Sequence, residues 1–179
     1  MADWRELNTL PQEELSKVKY NDPRLDSFAN AVEERYGLPK DLLVAVKNAG
    51  ERSNTGQESV LYNKKGERVE GAKGVMQFIP KTRKMYEHDV NDPMASIDAA
   101  GRMFKDLLEM YKNNAMAAIA HYNGGTVNGK AVMEGRPVPS QKETAPYLQR
   151  IRDYMEKRSA QQATPPPQPT ASFRLGVSP

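Results

Sequence analysis

The sequence predicts a mainly α-helical domain carrying one small β-hairpin. Three observations support that expectation. Apolar residues recur at the three-to-four spacing of a helix face in several segments, two of them opened by Asp-Pro. Between these segments a Gly- and Asn-rich stretch, residues 52–74, breaks the periodicity. The chain has 179 residues, enough for one sizeable core and too few for two ordinary ones.

The first elements follow in chain order. Residues 1–21 lack sustained periodicity, and Trp4, Leu7, Leu10 and Leu15 predict an N-terminal arm that packs only in part. From Asp22, a candidate N-cap with Pro23 at the first helical position, Leu25, Phe28, Ala29, Val32 and Tyr36 share one face up to Gly37. Pro39 is expected to open a second helix in which Leu42, Leu43, Ala45, Val46 and Ala49 leave little polar surface. Such a helix should be central and buried, and Gly50 should interrupt it just before Glu51. The segment "SVLYNKKGERVE" predicts a hairpin turning at Lys64 to Gly66.

After the hairpin, Pro80 predicts a short helix to about His88. Asp92 and Pro93 open what should be the longest helix, with Ile97, Ala100, Phe104, Leu107, Leu108 and Tyr111 at helical spacing. "AMAAIAHY" predicts another, stopped by "NGG". The segment "TAPYLQRIRDYMEKR" closes the domain, with Pro146 in its first turn and Tyr147, Ile151, Tyr154 and Met155 turned inward. Residues 159–179, rich in Pro, Gln, Ser and Thr, should form a flexible tail. The expected organisation is an arm at 1–21, a helical domain at 22–158 and a tail at 159–179.

Composition narrows the chemistry. Hydrophobic residues make up 38% and charged residues 27%, an ordinary balance for a globular domain. The 26 basic residues are interspersed with 23 acidic ones, a mildly basic balance that by itself excludes neither nucleic acid nor anionic lipid nor the bacterial wall, although no nucleic-acid partner is expected. There is no cysteine, which removes disulfides and thiolate metal sites. The two histidines, His88 and His121, have no acidic cluster at ligand spacing, so neither a metal nor a cofactor is expected. Neither a Gly-x-Ser-x-Gly elbow nor a phosphate loop occurs. No run approaches the roughly 18 apolar residues of a membrane span. Charges from residue 3 onward leave no apolar leader segment, so synthesis in the cytoplasm without a signal peptide is expected.

Five motifs remain, in a fixed order: a buried helix ending in Glu51, then "GAKGVMQFIPKT", "NDPMASIDAAGRMFKDLLEMY", "AIAHYNGG" and "KETAPYLQRI". In this order they resemble the SLT-type lytic transglycosylase domain, similar in fold to goose-type lysozyme. The resemblance spans about residues 22 to 158. It implies a lysozyme-like helical fold and cleavage of the β-1,4 bond between N-acetylmuramic acid and N-acetylglucosamine in peptidoglycan, leaving a 1,6-anhydro end. It also implies a single glutamate that is first acid and then base, and that must hold its proton near neutral pH.

Glu51 is the first candidate, because it ends the most apolar helix and meets a Gly-rich loop. Glu58 is the rival, because the family usually writes its acid as Glu-Ser and Glu58-Ser59 fits that pair. With Glu51 as the acid, Ser59 matches a loop serine of the family and "VLYNKKGERVE" is an insertion at the cleft rim. The resemblance further assigns substrate contacts to Gln77, with Met76 and Ile79 on the cleft wall. Tyr122 and Asn123 match a pair whose hydroxyl and amide approach the acid and sugar, and Glu143 and Tyr147 close the site from the opposite side. His121 departs from the family pattern.

An isolated glutamate is ordinarily a solvated surface residue, and Tyr122-Asn123 could be no more than a helix end. The family setting favours the site reading. Peptidoglycan is the expected partner. A bacteriophage virion is the expected carrier, docked through the arm and the tail, with action at the bacterial cell wall. The alternatives are a catalytically silent structural or wall-binding protein on the same fold, and a muramidase that hydrolyses the same bond.

Overall fold

The structure, a computed structural model, describes residues 3–7 and 11–163. Its arm holds a 3-10 turn at Trp4–Leu7 and a one-turn helix α1 (Gln12–Leu15). Leu15 is fully buried, and the Trp4 ring meets Phe28 edge-on at 6.0 Å, so both ends of the described arm are seated on the core. Leu10 and residues 164–179 lie outside the described residues.

Helix α2 (Pro23–Tyr36) has the ends its sequence announces. The Asp22 side chain accepts the N–H of Arg24, Pro23 occupies the first turn, and Gly37 closes the helix at φ 64. Leu25, Phe28, Ala29 and Val32 are buried as expected. Helix α3 (Leu42–Ala45) begins later than Pro39 suggested, because Asp41 takes a left-handed conformation, φ 65, and offers no side-chain cap. The cap comes from α2 instead: the buried Glu33 carboxylate accepts the N–H groups of Asp41 and Leu43 at 2.8 Å and of Val44 at 3.3 Å. Burial raises the Glu33 pKa, and these N–H groups oppose the rise.

The helix continues as a π-helix over Val46–Glu51, closed by the N–H of Arg52 on the carbonyl of Lys47 at 3.0 Å. Gly50 therefore belongs to the helix and does not interrupt it. The segment is also less apolar than expected, since Lys47 is fully buried within it. Its ammonium donates to Asp26 at 2.7 Å, to Asn48 at 2.6 Å and to the Tyr20 carbonyl. Asn48 in turn donates to Asp26 and to the Tyr154 hydroxyl, at 2.9 and 3.0 Å. A satisfied polar network thus ties this segment to α2 and to the last helix.

The hairpin forms where the turn signal placed it, with β1 (Leu61–Tyr62) antiparallel to β2 (Arg68–Val69) and Leu61 opposite Val69. The Asn63 side chain organises the turn by accepting the N–H groups of Lys65 and Glu67 at 2.9 and 3.0 Å. At its base Ser59 and Ala72 are paired, the Ser59 N–H reaching the Ala72 carbonyl at 2.8 Å. A Cβ on Gly71 would lie 1.8 Å from the Ser59 carbonyl oxygen, so the chain can cross there only as glycine.

Helix α4 (Pro80–Met85) stops short of His88. Helix α5 (Pro93–Met110) is the core, capped by Asp92 and burying Ile97, Ala100, Phe104, Leu107 and Leu108. It approaches α2 so closely at Gly101 that a Cβ there would fall 2.5 Å from Val32 Cγ1. Helix α6 (Ala115–Gly124) runs through Asn123 and Gly124 before it ends, and α7 (Thr126–Met133) follows where only a stop was expected. Helix α8 (Thr144–Ala163) has 20 residues against 18 in α5, which makes it the longest described helix. Its last turn, residues 159–163, occupies positions expected in the tail. The fold is mainly helical with a two-stranded hairpin, as the sequence predicts. No described helix is long and apolar enough to cross a membrane.

Candidate active site

The π-helix ends at Glu51, at the side of a cleft of about 830 Å³ bounded by the hairpin base, α4, α5, the end of α6 and Glu143 just before α8. Behind the carboxyl, Tyr147 of α8 is 2% exposed and donates its hydroxyl to Glu51 Oε1 at 2.8 Å. The tyrosine ring reaches that position because residue 50 is glycine: a Cβ there would lie 2.6 Å from Tyr147 Cζ. One turn further along α8, Arg150 donates to the carbonyls of Ala49 and Gly50 at 3.0 and 3.2 Å. This satisfies the end of the π-helix and places a cation near the acid.

Burial dominates the electrostatics of Glu51 and pushes its pKa up to about 7, while the Tyr147 hydrogen bond and the Arg150 charge pull it down. The carboxyl is therefore poised between acid and base near neutrality. Burial also holds the phenols of Tyr122 and Tyr147 well above their ordinary range, the Glu51 charge adding to each, so both remain hydroxyl groups.

Ser59, Gln77, Ile79, Tyr122, Asn123 and Glu143 line the same cleft as Glu51. The Ser59 hydroxyl accepts the Ala72 N–H at 2.9 Å, which leaves its own proton to donate. Gln77 has φ 49 and uses its amide nitrogen on the carbonyls of Gln57 and Gly74, at 3.2 and 2.9 Å, so its amide oxygen has no described donor. The Asn123 side-chain oxygen accepts the hydroxyl of buried Thr144 at 2.8 Å. That contact orients the amide and leaves its N–H groups for the cleft.

The structure places three of the expected site residues differently from the assignments above, and sets Glu58 apart from the cleft. Met76 is fully buried and lines no cleft; what it supplies is a carbonyl that accepts the Tyr122 hydroxyl. Tyr122 accordingly points its hydroxyl at the backbone, with its ring stacked on Phe104 at 4.8 Å. Tyr147 supports the acid from behind and forms no cleft wall. Glu58 stands outside the cleft lining, where its carboxylate accepts the Gly71 N–H at 3.0 Å and faces Lys73 at 3.8 Å. It braces the loop.

Sequence reasoning missed Arg150, Thr144, Phe78 and the pair formed by Tyr86 and Asp106. Arg150 follows Tyr147 at helical spacing in "YLQR", a signal that could have been read; the Thr144 contact crosses from α8 to α6 and left none. Tyr86 donates to Asp106 at 2.6 Å at the end of the cleft formed by α4 and α5, and burial together with Asp106 pushes its pKa up to about 12. Among the described residues no cluster could hold a metal ion.

The chain matches the Transglycosylase SLT domain family over residues 27–142, more than half its length. It belongs to that family. The SLT domain is a lytic transglycosylase acting on peptidoglycan. No solved structure matches the chain. The SLT match ends just before Glu143, so the residues of α8 that contact or orient the acid, Tyr147 and Arg150, lie immediately beyond it.

Proposed function

We propose that this SLT protein cleaves the β-1,4 bond between N-acetylmuramic acid and N-acetylglucosamine with Glu51 as its single acid and base, forming 1,6-anhydro-N-acetylmuramic acid. The observation that carries the reading is a partly buried carboxyl at the cleft whose pKa is pushed to about 7 by its surroundings. Because Tyr147 donates to Oε1, the proton of the acid form is carried by Oε2. Glu51 gives that proton to the glycosidic oxygen as the bond to C1 breaks, and the sugar's own acetamido oxygen bonds to C1. The 6-hydroxyl then attacks C1 and displaces the acetamido oxygen, while the Glu51 carboxylate takes the hydroxyl proton. The acid is regenerated, and no water is consumed.

Ser59, Gln77, Ile79, Asn123 and Glu143 are proposed as substrate contacts, with Tyr147 and Arg150 positioning the acid. A phage virion as carrier belongs to the same proposal, with action at the bacterial wall and docking through residues 1–21 and 159–179. It is supported by the sequence reading alone. Mass spectrometry of purified particles that contained no trace of the chain would sink it.

The chemical test digests purified sacculi with the wild type, Glu51→Gln and Glu58→Gln, and reads the products by mass spectrometry. Anhydro products lost only in Glu51→Gln are expected, with activity reduced by at least about a thousandfold. Products lacking the anhydro mass would mean hydrolysis. Loss in Glu58→Gln alone would move the acid into the loop.

A further inference from the structure

Of the polar side chains in the cleft, His121 has no part in the chemistry above, yet its ring is seated with care. It lies one residue before Tyr122 on α6 and lines the cleft. Its Nδ1 is 2.7 Å from the phenol oxygen of Tyr111, the residue that ends α5. Tyr111 is only 4% exposed, and this is its one side-chain hydrogen bond among the described residues. The two rings meet at 5.7 Å and 69°. Space for the pair is made by Gly129 of α7, where a Cβ would lie 2.3 Å from the Tyr111 hydroxyl and 3.0 Å from His121 Cβ.

Hydrogen-bond accounting assigns the proton positions. The Tyr111 hydroxyl has no other acceptor among the described residues, which assigns it as the donor to Nδ1. Nδ1 must then present a lone pair, and the neutral ring carries its hydrogen on Nε2. Partial burial favours that neutral form. Nε2 has no partner within the described protein, and it is not sealed away. His88 is the contrast: its Nδ1 donates to the Tyr86 carbonyl at 2.6 Å, and its Nε2 is buried with no partner. The cleft histidine thus keeps one free donor on the ring edge opposite Tyr111. A solvated surface histidine needs no phenol to set its tautomer and no glycine to seat it.

We infer that His121 is a substrate-binding residue whose Nε2–H, held in that tautomer by Tyr111, donates to an uncharged oxygen acceptor of the bound amino-sugar chain. The acceptor class is an acetamido carbonyl or a hydroxyl. The contact rests on reading the cleft as the glycan site, but not on Glu51 being the acid. Tyr111 is a positioning residue, acting only through the imidazole.

Two measurements test the inference. Long-range proton–nitrogen spectra of the nitrogen-15-labelled protein should show the two histidines as opposite tautomers, Nε2–H at His121 and Nδ1–H at His88, with Tyr111→Phe giving a mixture at His121 alone. Binding of a soluble muropeptide chain is then measured in Glu51→Gln protein, so that turnover plays no part. His121→Phe should weaken binding about tenfold. His121→Gln, whose amide N–H can reach toward the same place, should recover most of the loss. An Nδ1–H tautomer at His121 would overturn the inference, as would equal affinities in variants that melt like the parent. If instead Glu51→Gln still cleaved the chain, the assignment of the acid would fail while the binding comparison, made with a non-cleavable analogue, still decided the role of His121.

Discussion

At the scale of single residues, the protonation of Glu51 is set by burial and by two neighbours that oppose it. Burial raises its pKa, and the Tyr147 hydroxyl and the Arg150 guanidinium lower it. Tyr147→Phe removes a donor to the carboxylate, so the acid should hold its proton to higher pH. The limb of kcat/KM that falls above about pH 7 is expected to move upward by roughly half a unit to one unit. A limb that stayed in place, measured with soluble glycan fragments, would show that Tyr147 only packs there. The location of Glu51 at a cleft was legible because an apolar helix ran into a loop of glycines. The burial of Met76 was not: the tight turn over "GVMQ" buries Val75 and Met76 alike and brings only Gln77 to the cleft, and the sequence does not say which side is wet.

At the scale of elements, the join between the π-helix and α8 depends on the absence of a side chain at residue 50. Gly50→Ala would put a methyl group into the Tyr147 ring. The expected outcome is a loss of about 1–3 kcal/mol of stability from overpacking, together with a fall in kcat larger than that in Tyr147→Phe, since the acid itself is displaced. Equal kcat in the two variants would mean that the ring moves and Glu51 does not. The starts of α2 and α5 were legible, because Asp-Pro is a local signal; both begin where their caps stand. Elements specified across space were not. The start of α3 is capped by Glu33 from another helix, and α7 follows a Gly-Gly pair that reads as a stop but serves as a corner.

At the scale of the whole molecule, the acid lowers the stability of the fold that holds it. Folded Glu51 keeps its proton to about pH 7, whereas the ordinary glutamate value is 4.5. Between these values the folded state binds more protons than the unfolded one, so stability falls as pH rises through that window and stays lower above it. Glu51→Gln is uncharged and still offers an oxygen to Tyr147. It should be more stable than the wild type at pH 8, by at most about 3 kcal/mol, and no more stable at pH 4. Thermal unfolding at both pH values checks this; a difference independent of pH would assign the effect to packing.

The π-helix also makes the register of the chain part of the candidate site. Val46–Glu51 accommodates one more residue than an ordinary α-helical turn, so it absorbs that residue while keeping Glu51 in line with the apolar face fixed by α3. Deleting one residue there would leave every buried leucine of α3 in place. An ordinary α-helical turn over what remains covers nearly the same arc, so the glutamate would keep its direction and lose only the wide π turn.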